Sequence, residues 1–554
     1  MFGQMQQHPL LISGLIEHAS RHHGDVEVVS RRVEGDTHRE TYREMAARTR
    51  QLANALAALG IEQGDRIATM AWTGYRHMEL YYAVSGHGAI LHTINPRLHA
   101  DQLTYITHHA ADRVLFFDAT FLPILEPLAP RLQSIQHFVL MTDRAHMPAT
   151  SALPNLLCYE DLLAAQPDTY RWPTFSEETA SSLCYTSGTT GNPKGVLYSH
   201  RSLVLHSFAI AMQLNFSVAD TVLPIVPMFH VNAWGTPYTA CMVGAKLVLP
   251  GPALDGKSLH TLFEDERVTC TAGVPTIWQG LLNYLESTGL RCTTLKRISI
   301  GGSACSPKML HDLQDTHGFE VIHAWGMTET SPLGTVSLLK PKHATLSKPE
   351  RDALQTKQGF VPYGVDIKIT DDHGNDLPWD GASAGELHVR GPWIISRYFR
   401  EDHDALIDGW FPTGDVATID PDGYMQITDR SKDLIKSGGE WIGSIELEGI
   451  AASHPSVAMA ACIGIPHPKW QERPLLVVIK KPNANLTRED LLAHYKGKVA
   501  TWWVPDDVAF VDTIPIGATG KIQKNKLRET FATTYTESTT PHEPTKPIPV
   551  ATQS

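Results

Sequence analysis

The stretch Tyr185-Thr186-Ser187-Gly188-Thr189-Thr190-Gly191-Asn192-Pro193-Lys194-Gly195-Val196 constrains this chain more than any other. It is short of large side chains and rich in hydroxyls, so it packs no core of its own. Glycines let backbone N–H groups close around an anion, hydroxyls donate to phosphate oxygens or ligate a metal, and a lysine adds a mobile positive charge. A polyphosphate is the guest these groups suit. The apolar run Ser182-Leu183-Cys184-Tyr185 before it reads as a buried strand, which puts the loop at a strand end, where α/β folds bind ligands. The spacing is not that of the Walker loop G-x-x-x-x-G-K-[ST], because Pro193 precedes Lys194 and Gly195 follows it. A flexible surface linker is the bland alternative, but linkers rarely end in Pro-Lys-Gly directly against a strand signal.

Along the chain, strand and helix patterns alternate around this loop. Residues 1–60 read as mostly helical, with Thr41-Tyr42-Arg43-Glu44-Met45 opening an amphipathic stretch that Gly60 ends. Strands are expected at 65–70, 89–94 and 114–117, with helices at 78–85 and 101–110. The same rhythm returns at 220–226, 245–249, 269–274, 297–300 and 323–329, which implies a parallel sheet built from βαβ units. From about 360 the texture changes to short strands and tight turns such as Asp372-His373-Gly374-Asn375 and Pro421-Asp422-Gly423.

At 554 residues the chain exceeds one core. The expected fold class is α/β: a large multi-subdomain N-terminal α/β domain over 1–431 with a β-rich subdomain at about 360–431, and a small mobile α+β C-terminal domain over 432–535. The tail 536–554, with repeated Thr and Pro, reads as disordered.

The formal charge of -12 argues against a general nucleic-acid binder, so small molecules are the expected partners. Seven scattered cysteines without a C-x-x-C pair fit reduced thiols in a cytoplasmic protein. We find neither a secretory signal at the N-terminus nor an apolar run long enough for a transmembrane segment. None of the 28 histidines forms H-E-x-x-H or another close ligand cluster.

Four more segments extend the loop's chemistry. Trp325-Gly326-Met327-Thr328-Glu329 offers an aromatic face for a base, a hydroxyl for phosphate and a carboxylate for a metal. Phe411-Pro412-Thr413-Gly414-Asp415 offers an acid at a turn, suited to ribose hydroxyls. Asp429 to Gly439 (DRSKDLIKSGG) mixes Arg, Lys and Gly, as a hinge and cation source would. Pro515-Ile516-Gly517-Ala518-Thr519-Gly520-Lys521 puts one lysine on a flexible loop.

In this order and spacing, the five segments resemble the core motifs of the adenylate-forming superfamily, which contains acyl-CoA synthetases, luciferases and nonribosomal adenylation domains. The resemblance runs from about residue 8 to 533. The segment Met228 to Pro252 is similar to medium- and long-chain fatty acyl-CoA synthetases, and His323 to Thr335 (HAWGMTETSPLGT) points to a bacterial branch with medium-chain and methylmercaptopropionate ligases.

The resemblance implies ATP, Mg²⁺ and CoA as ligands and a role for each motif. Ser187, Gly188, Thr189, Thr190, Gly191 and Lys194 would hold the β- and γ-phosphates, with Thr186 and Glu329 on Mg²⁺. Gly301, Gly302 and Ser303 would pass the adenine edge, Trp325 and Gly326 its face, and Asp415 and Arg430 the ribose. Thr328 would act beside Glu329, and His230 would border the acyl carboxylate. Trp234 would gate an acyl pocket shared with Gly235 and Pro332. Lys432 would be the hinge, Lys436, Gly438 and Gly439 would line the pantetheine path, and Lys521 would bridge the carboxylate to the α-phosphate. A homodimer is the expected assembly. One departure stands out: Gly443 follows Gly438-Gly439-Glu440-Trp441-Ile442 where the family usually has serine.

The implied reaction is AMP-forming acid–thiol ligation. A carboxylate attacks the α-phosphorus of ATP, pyrophosphate leaves, and CoA thiolate then displaces AMP from the acyl-adenylate. Lys521 and Lys436 cannot both serve one crevice from one pose, so the C-terminal domain is expected to swing about Lys432. A medium-chain fatty acid is the expected substrate, a short thioether acid such as 3-methylmercaptopropionate the alternative, and a luciferase-like adenylate oxygenase a further one. A nonribosomal adenylation module would need a carrier protein, and too few residues follow Lys521 for a fused one. A non-catalytic nucleotide binder would be expected to lack Lys521 or Glu329, and both are present.

Overall fold

The computed structural model describes residues 1, 3–186, 192–437, 440–517 and 521–535. The tail at 536–554 and the loop residues 187–191, 438–439 and 518–520 lie outside the described residues, and with them the expectations placed there.

Two large sheets form the N-terminal part. The first has seven strands in the order Leu156–Cys158, His137–Leu140, Asp112–Phe117, Arg66–Met70, Ile90–Thr93, Ala180–Tyr185 and Gly195–Ser199. All its pairs are parallel except the last, so the phosphate-type loop connects the antiparallel strands Ala180–Tyr185 and Gly195–Ser199. The second has eight, in the order Leu333–Ser337, Glu320–Gly326, Arg297–Ile300, Cys270–Gly273, Thr221–Pro224, Lys246–Leu249, Glu27–Arg31 and Thr37–Thr41. Its interior pairs are parallel, as the alternating pattern predicts, and its two ends are closed by antiparallel strands.

Between the sheets runs the helix Tyr75–His87, whose residues from Tyr75 to Gly86 are all buried. Its buried charges are paired inside: Arg48 Nε donates to Glu79 at 2.5 Å and Arg76 Nε donates to Glu160 at 2.8 Å. Tyr82 donates from its hydroxyl to Pro237 O at 3.0 Å and Tyr81 donates to Met228 O, which ties this helix to the start of the helix Thr236–Val243 and to the loop after the strand Thr221–Pro224.

The N-terminal sixty residues differ from the mostly helical expectation. Helices Ile12–His22 and Tyr42–Ala58 are present, but the hairpin Glu27–Arg31/Thr37–Thr41 stands between them. Val28 and Val29 pair with Leu247 and Val248, more than 200 residues away, so nothing nearby in the sequence signals that strand. Helix Tyr42–Ala58 starts as its sequence dictates. Thr41 accepts from Glu44 N while Glu44 reaches back to Thr41 N, and Gly60 beyond the far end takes φ 72°.

After residue 360 comes an antiparallel sheet of Asp366–Thr370, Gly385–Arg390, Phe411–Ile419 and Met425–Arg430. A further sheet follows, with Glu440–Ile442, Ile435–Ser437, Gln471–Lys480 and Val457–His467 in order, and Asp507–Phe510 parallel to Gln471–Lys480. Helices Ser444–Ala452 and Lys524–Thr530 bring Leu447 and Leu527 into two buried clusters that both draw on this sheet. The architecture is therefore mixed α/β, with a large N-terminal body and a smaller C-terminal sheet domain. Among the described residues no helix is long and apolar enough to cross a membrane.

Candidate active site

Strand ends and the loops that leave them build the site. Thr186 and Lys194 close the base of the phosphate-type loop: Thr186 N donates to Lys194 O at 2.9 Å and Lys194 N to Thr186 Oγ1 at 3.3 Å. Residues 187–191, between them, lie outside the described residues. Below the loop, His109 Nδ1 and the Tyr185 hydroxyl are 2.7 Å apart.

Trp325, Gly326, Thr328 and Glu329 leave the strand Glu320–Gly326 as a short turn. Gly326 admits only glycine, since a Cβ there would sit 1.5 Å from Pro332 O. Tyr198 from the strand Gly195–Ser199 donates to Thr328 O at 2.7 Å, which docks this turn against that strand. Glu329 is buried and accepts from the Tyr398 hydroxyl at 2.8 Å. Burial pushes its carboxyl up, while Tyr398, Arg430 and Lys521 hold it down. Lys194 Nζ lies 4.7 Å from the centre of the Tyr398 ring.

Asp415 and Arg430 are direct cross-strand partners, with Arg430 Nε 3.3 Å from Asp415 Oδ1. The other carboxylate oxygen of Asp415 accepts from the Trp325 indole at 2.9 Å. Trp325, at 7% exposure, packs its ring against Gly334, so its indole edge orients the acid as much as its face borders the crevice.

His230 stands at the other wall, followed by an unusual turn. Val231, Asn232, Ala233 and Trp234 take φ of 44°, 50°, 48° and 54°, and Gly235 completes the left-handed run at 74°. Only a buried, over-determined setting holds so many non-glycine residues there. Gly235 abuts His206, whose Cε1 would be 2.6 Å from a Cβ at that position. His206 in turn accepts from Leu333 N at 3.3 Å, beside Pro332. The Trp234 ring reaches across to Gly301 and Gly302. Ser303, next to them, is exposed.

Lys521 joins this set from the C-terminal part. Its side chain stays open to water, yet surrounding protein, Arg430 and Lys432 push its pKa down to about 8 against the pull of Asp415 and Glu329. Burial together with the charge of Lys521 pushes His230 down to about 4. Lys521, Glu329, Asp415, Arg430 and His230 thus share one electrostatic neighbourhood. Lys432 is exposed and close to Arg430 and Asp433. Lys436 lies elsewhere: its Nζ sits 4.5 Å from the Trp441 ring and its N–H donates to Glu472 at 2.9 Å. Gly438 and Gly439 lie outside the described residues. Two site neighbours, Tyr398 and His206, are not singled out by the sequence reading; both are set by partners far along the chain, and no local spacing marks them.

The arrangement can hold a nucleotide triphosphate and a small acid and neutralise charge between them. Thr186 and Glu329 offer a hydroxyl and a carboxylate, hard oxygen donors that fit Mg²⁺ shared with phosphates.

Comparison with known proteins agrees with this chemistry. Residues 15–399 match the family described as AMP-binding enzyme, and residues 446–521 match the AMP-binding enzyme C-terminal domain. The chain is 53% identical to a 3-methylmercaptopropionyl-CoA ligase of Ruegeria lacuscaerulensis, over 96% of this chain and 99% of that one. It is also 53% identical to a medium-chain-fatty-acid–CoA ligase of Ectopseudomonas oleovorans, over 96% and 98%. Among solved structures it resembles ATP-bound MatB from Rhodopseudomonas palustris, with 25% identity, a TM-score of 0.79 and coverage of 94% and 99%.

Proposed function

The chain belongs to the AMP-binding enzyme family and is an AMP-forming acyl-CoA ligase, and we propose that it joins a medium-chain fatty acid to CoA through an acyl-adenylate. The observation that carries the mechanism is the convergence of Lys521 on the crevice that holds Glu329, Asp415 and His230. In this pose the lysine can neutralise an incoming carboxylate and the α-phosphate together, a preorganised charge acting where charge develops. Lys194 and the loop 187–191 bind the leaving phosphates, Asp415 and Arg430 the ribose, and Trp325 and Gly301–Ser303 the base.

Thr186 and Glu329 would hold Mg²⁺, which would supply Lewis-acid charge on the phosphates when bound. Thr328 keeps the turn in register through Tyr198. CoA transfer follows after a swing of the C-terminal domain, 432–535, about Lys432, which brings Lys436 and the 438–439 glycines to the crevice. That Lys436 lies away from the crevice groups while Lys521 lies beside them supports a two-pose cycle. Seven free cysteines support a cytoplasmic enzyme, and we take it to act as a homodimer.

The decisive experiment measures CoA-dependent pyrophosphate release over acids from propionate and 3-methylthiopropionate to palmitate. An optimum between about six and twelve carbons supports the fatty-acid assignment, since each buried methylene contributes roughly 0.8 kcal/mol until the pocket is full. The equal similarity to the methylmercaptopropionyl-CoA ligase favours a second reading, a short thioether acid, which an optimum at 3-methylthiopropionate would establish.

A further inference from the structure

Tyr398 is the side chain that touches both halves of the phosphate site. Its hydroxyl donates to Glu329 Oε1 at 2.8 Å, and its ring lies 4.7 Å below Lys194 Nζ. The segment around it is bonded to the same two places by its backbone. Ile395 N donates to Glu329 O at 2.9 Å, and Phe399 N donates to Gly195 O at 2.8 Å. Ser331 Oγ donates to Trp393 O at 2.7 Å and Trp393 Nε1 to Leu333 O at 2.9 Å. Residues 393–399 therefore strap the end of the phosphate-type loop to the Glu329 turn, with Tyr398 between the anchor points.

We propose that Tyr398 is a positioning residue of the phosphate site, its hydroxyl fixing the plane of the Glu329 carboxylate and its ring seating the Lys194 ammonium. The inference rests on the reading of Glu329 as the metal-binding acid and of Lys194 as a phosphate ligand. An ionised carboxylate has about four lone-pair sites, so one bond from Tyr398 orients it and leaves capacity for a cation. An aromatic face attracts an ammonium and accepts only weakly from its N–H groups. Lys194 is thus held in place with its N–H donors available to phosphate. A half-buried tyrosine kept only for packing could turn its hydroxyl to water; this one spends it on a buried acid.

The test uses the full-length protein and two binding measurements that need no turnover: ATP titrated in EDTA by calorimetry, and Mn²⁺ titrated onto the protein–ATP complex by electron paramagnetic resonance. Tyr398→Phe keeps the ring and deletes the hydroxyl. It should bind metal-free ATP within about twofold of the wild type while Mn²⁺ affinity falls by about 10–100-fold, as for loss of a bond that orients a metal ligand. Tyr398→Leu should lose metal-free ATP affinity as well, by about threefold or more. Wild-type Mn²⁺ affinity in Tyr398→Phe overturns the role of the hydroxyl. Metal-free ATP affinity that is the same in the Phe and Leu variants overturns the role of the ring in seating Lys194. Glu329→Gln separates this inference from its premise. If that variant binds Mn²⁺ normally, the metal assignment falls and the proposal with it. If it loses Mn²⁺ while Tyr398→Phe does not, only the role of Tyr398 falls.

Discussion

The Trp234 ring is in contact with Gly301: a Cβ at Gly301 would come within 2.9 Å of Trp234 Cη2. If Trp234 gates the acyl entrance and Gly301 borders the nucleotide, as proposed, the two substrates would meet through one indole. The left-handed turn Val231–Trp234 aims that indole, and burial of Val231, Asn232 and Ala233 holds the turn against a strain of roughly 1–2 kcal/mol per residue.

Gly301→Ala should displace Trp234 and so disturb both ends of the contact. We expect a rise of roughly tenfold in the KM for ATP and a changed chain-length profile, measured by pyrophosphate release over the acid panel. Trp234→Ala should instead open the entrance and flatten the profile with little change in the KM for ATP, because roughly 0.8 kcal/mol per methylene then stops discriminating where the pocket ended. An unaltered profile in both variants would detach Trp234 from acyl selection.

Lys521→Ala removes the charge that enters the crevice from the C-terminal part. Acid-dependent pyrophosphate release should fall by roughly 10²–10⁴-fold, as for a preorganised group acting in the transition state. Thioesterification of preformed acyl-adenylate should stay near normal. Single-turnover assays of the two half-reactions decide it, and equal loss in both removes Lys521 from its assigned role.

How much of this was legible in the sequence depends on how local each cause is. The helix from Tyr42 was readable because Thr41 and Glu44 form a capping box within four residues. The strand Glu27–Arg31 was not, because its partner Lys246–Leu249 is remote and its pattern is swamped by helices on both sides. In the site, the Gly326 and Glu329 turn follows the strand Glu320–Gly326 where the glycine and hydroxyl cluster placed it, while the phosphate-type loop at 187–191 lies outside the described residues. Tyr398 and His206 stayed silent, since a tyrosine between two arginines and a histidine in an apolar helix gain their roles only when Glu329 and Leu333 arrive in space.

The proposed hinge at Lys432 can be tested through a contact between the segments on either side of it. Asp429 Oδ2 accepts from Ser444 N at 2.6 Å, and so caps helix Ser444–Ala452 where Gly443 supplies no side chain. Lys524 lies close by, 2.5 Å from Ser444 Oγ and 2.8 Å from Glu448. Asp429→Ala should weaken the pose that delivers Lys521 by roughly 1–2 kcal/mol, the usual value of a lost cap. Adenylation should then drop about tenfold with CoA transfer less affected. Gly443 itself takes an ordinary φ of −74°, and a Cβ would sit 3.1 Å from Thr428 O. With the cap already provided by Asp429, Gly443→Ser should alter stability by no more than about 0.5 kcal/mol in a denaturant titration. A larger gain would mean that Asp429 does not satisfy the helix terminus.

The pH profile of adenylation carries the clearest sign. In the proposed role Lys521 would act as an ammonium, and desolvation first, then Arg430 and Lys432, press its pKa down to about 8 against Asp415 and Glu329. Below that value the group is charged and competent; above it the charge is lost. The kcat/KM for ATP-dependent adenylation, which reports the free enzyme, should therefore fall about tenfold per pH unit above roughly 8. The limb on kcat should lie higher, since bound phosphates favour the ammonium. His230, pushed down to about 4, stays neutral across this range and contributes no limb of its own. Lys521→Arg supplies the control: a guanidinium remains charged, so the alkaline limb should move beyond about pH 10 even if the plateau drops. A limb that stays near 8 in Lys521→Arg would belong to another group, and the ammonium of Lys521 would no longer explain it.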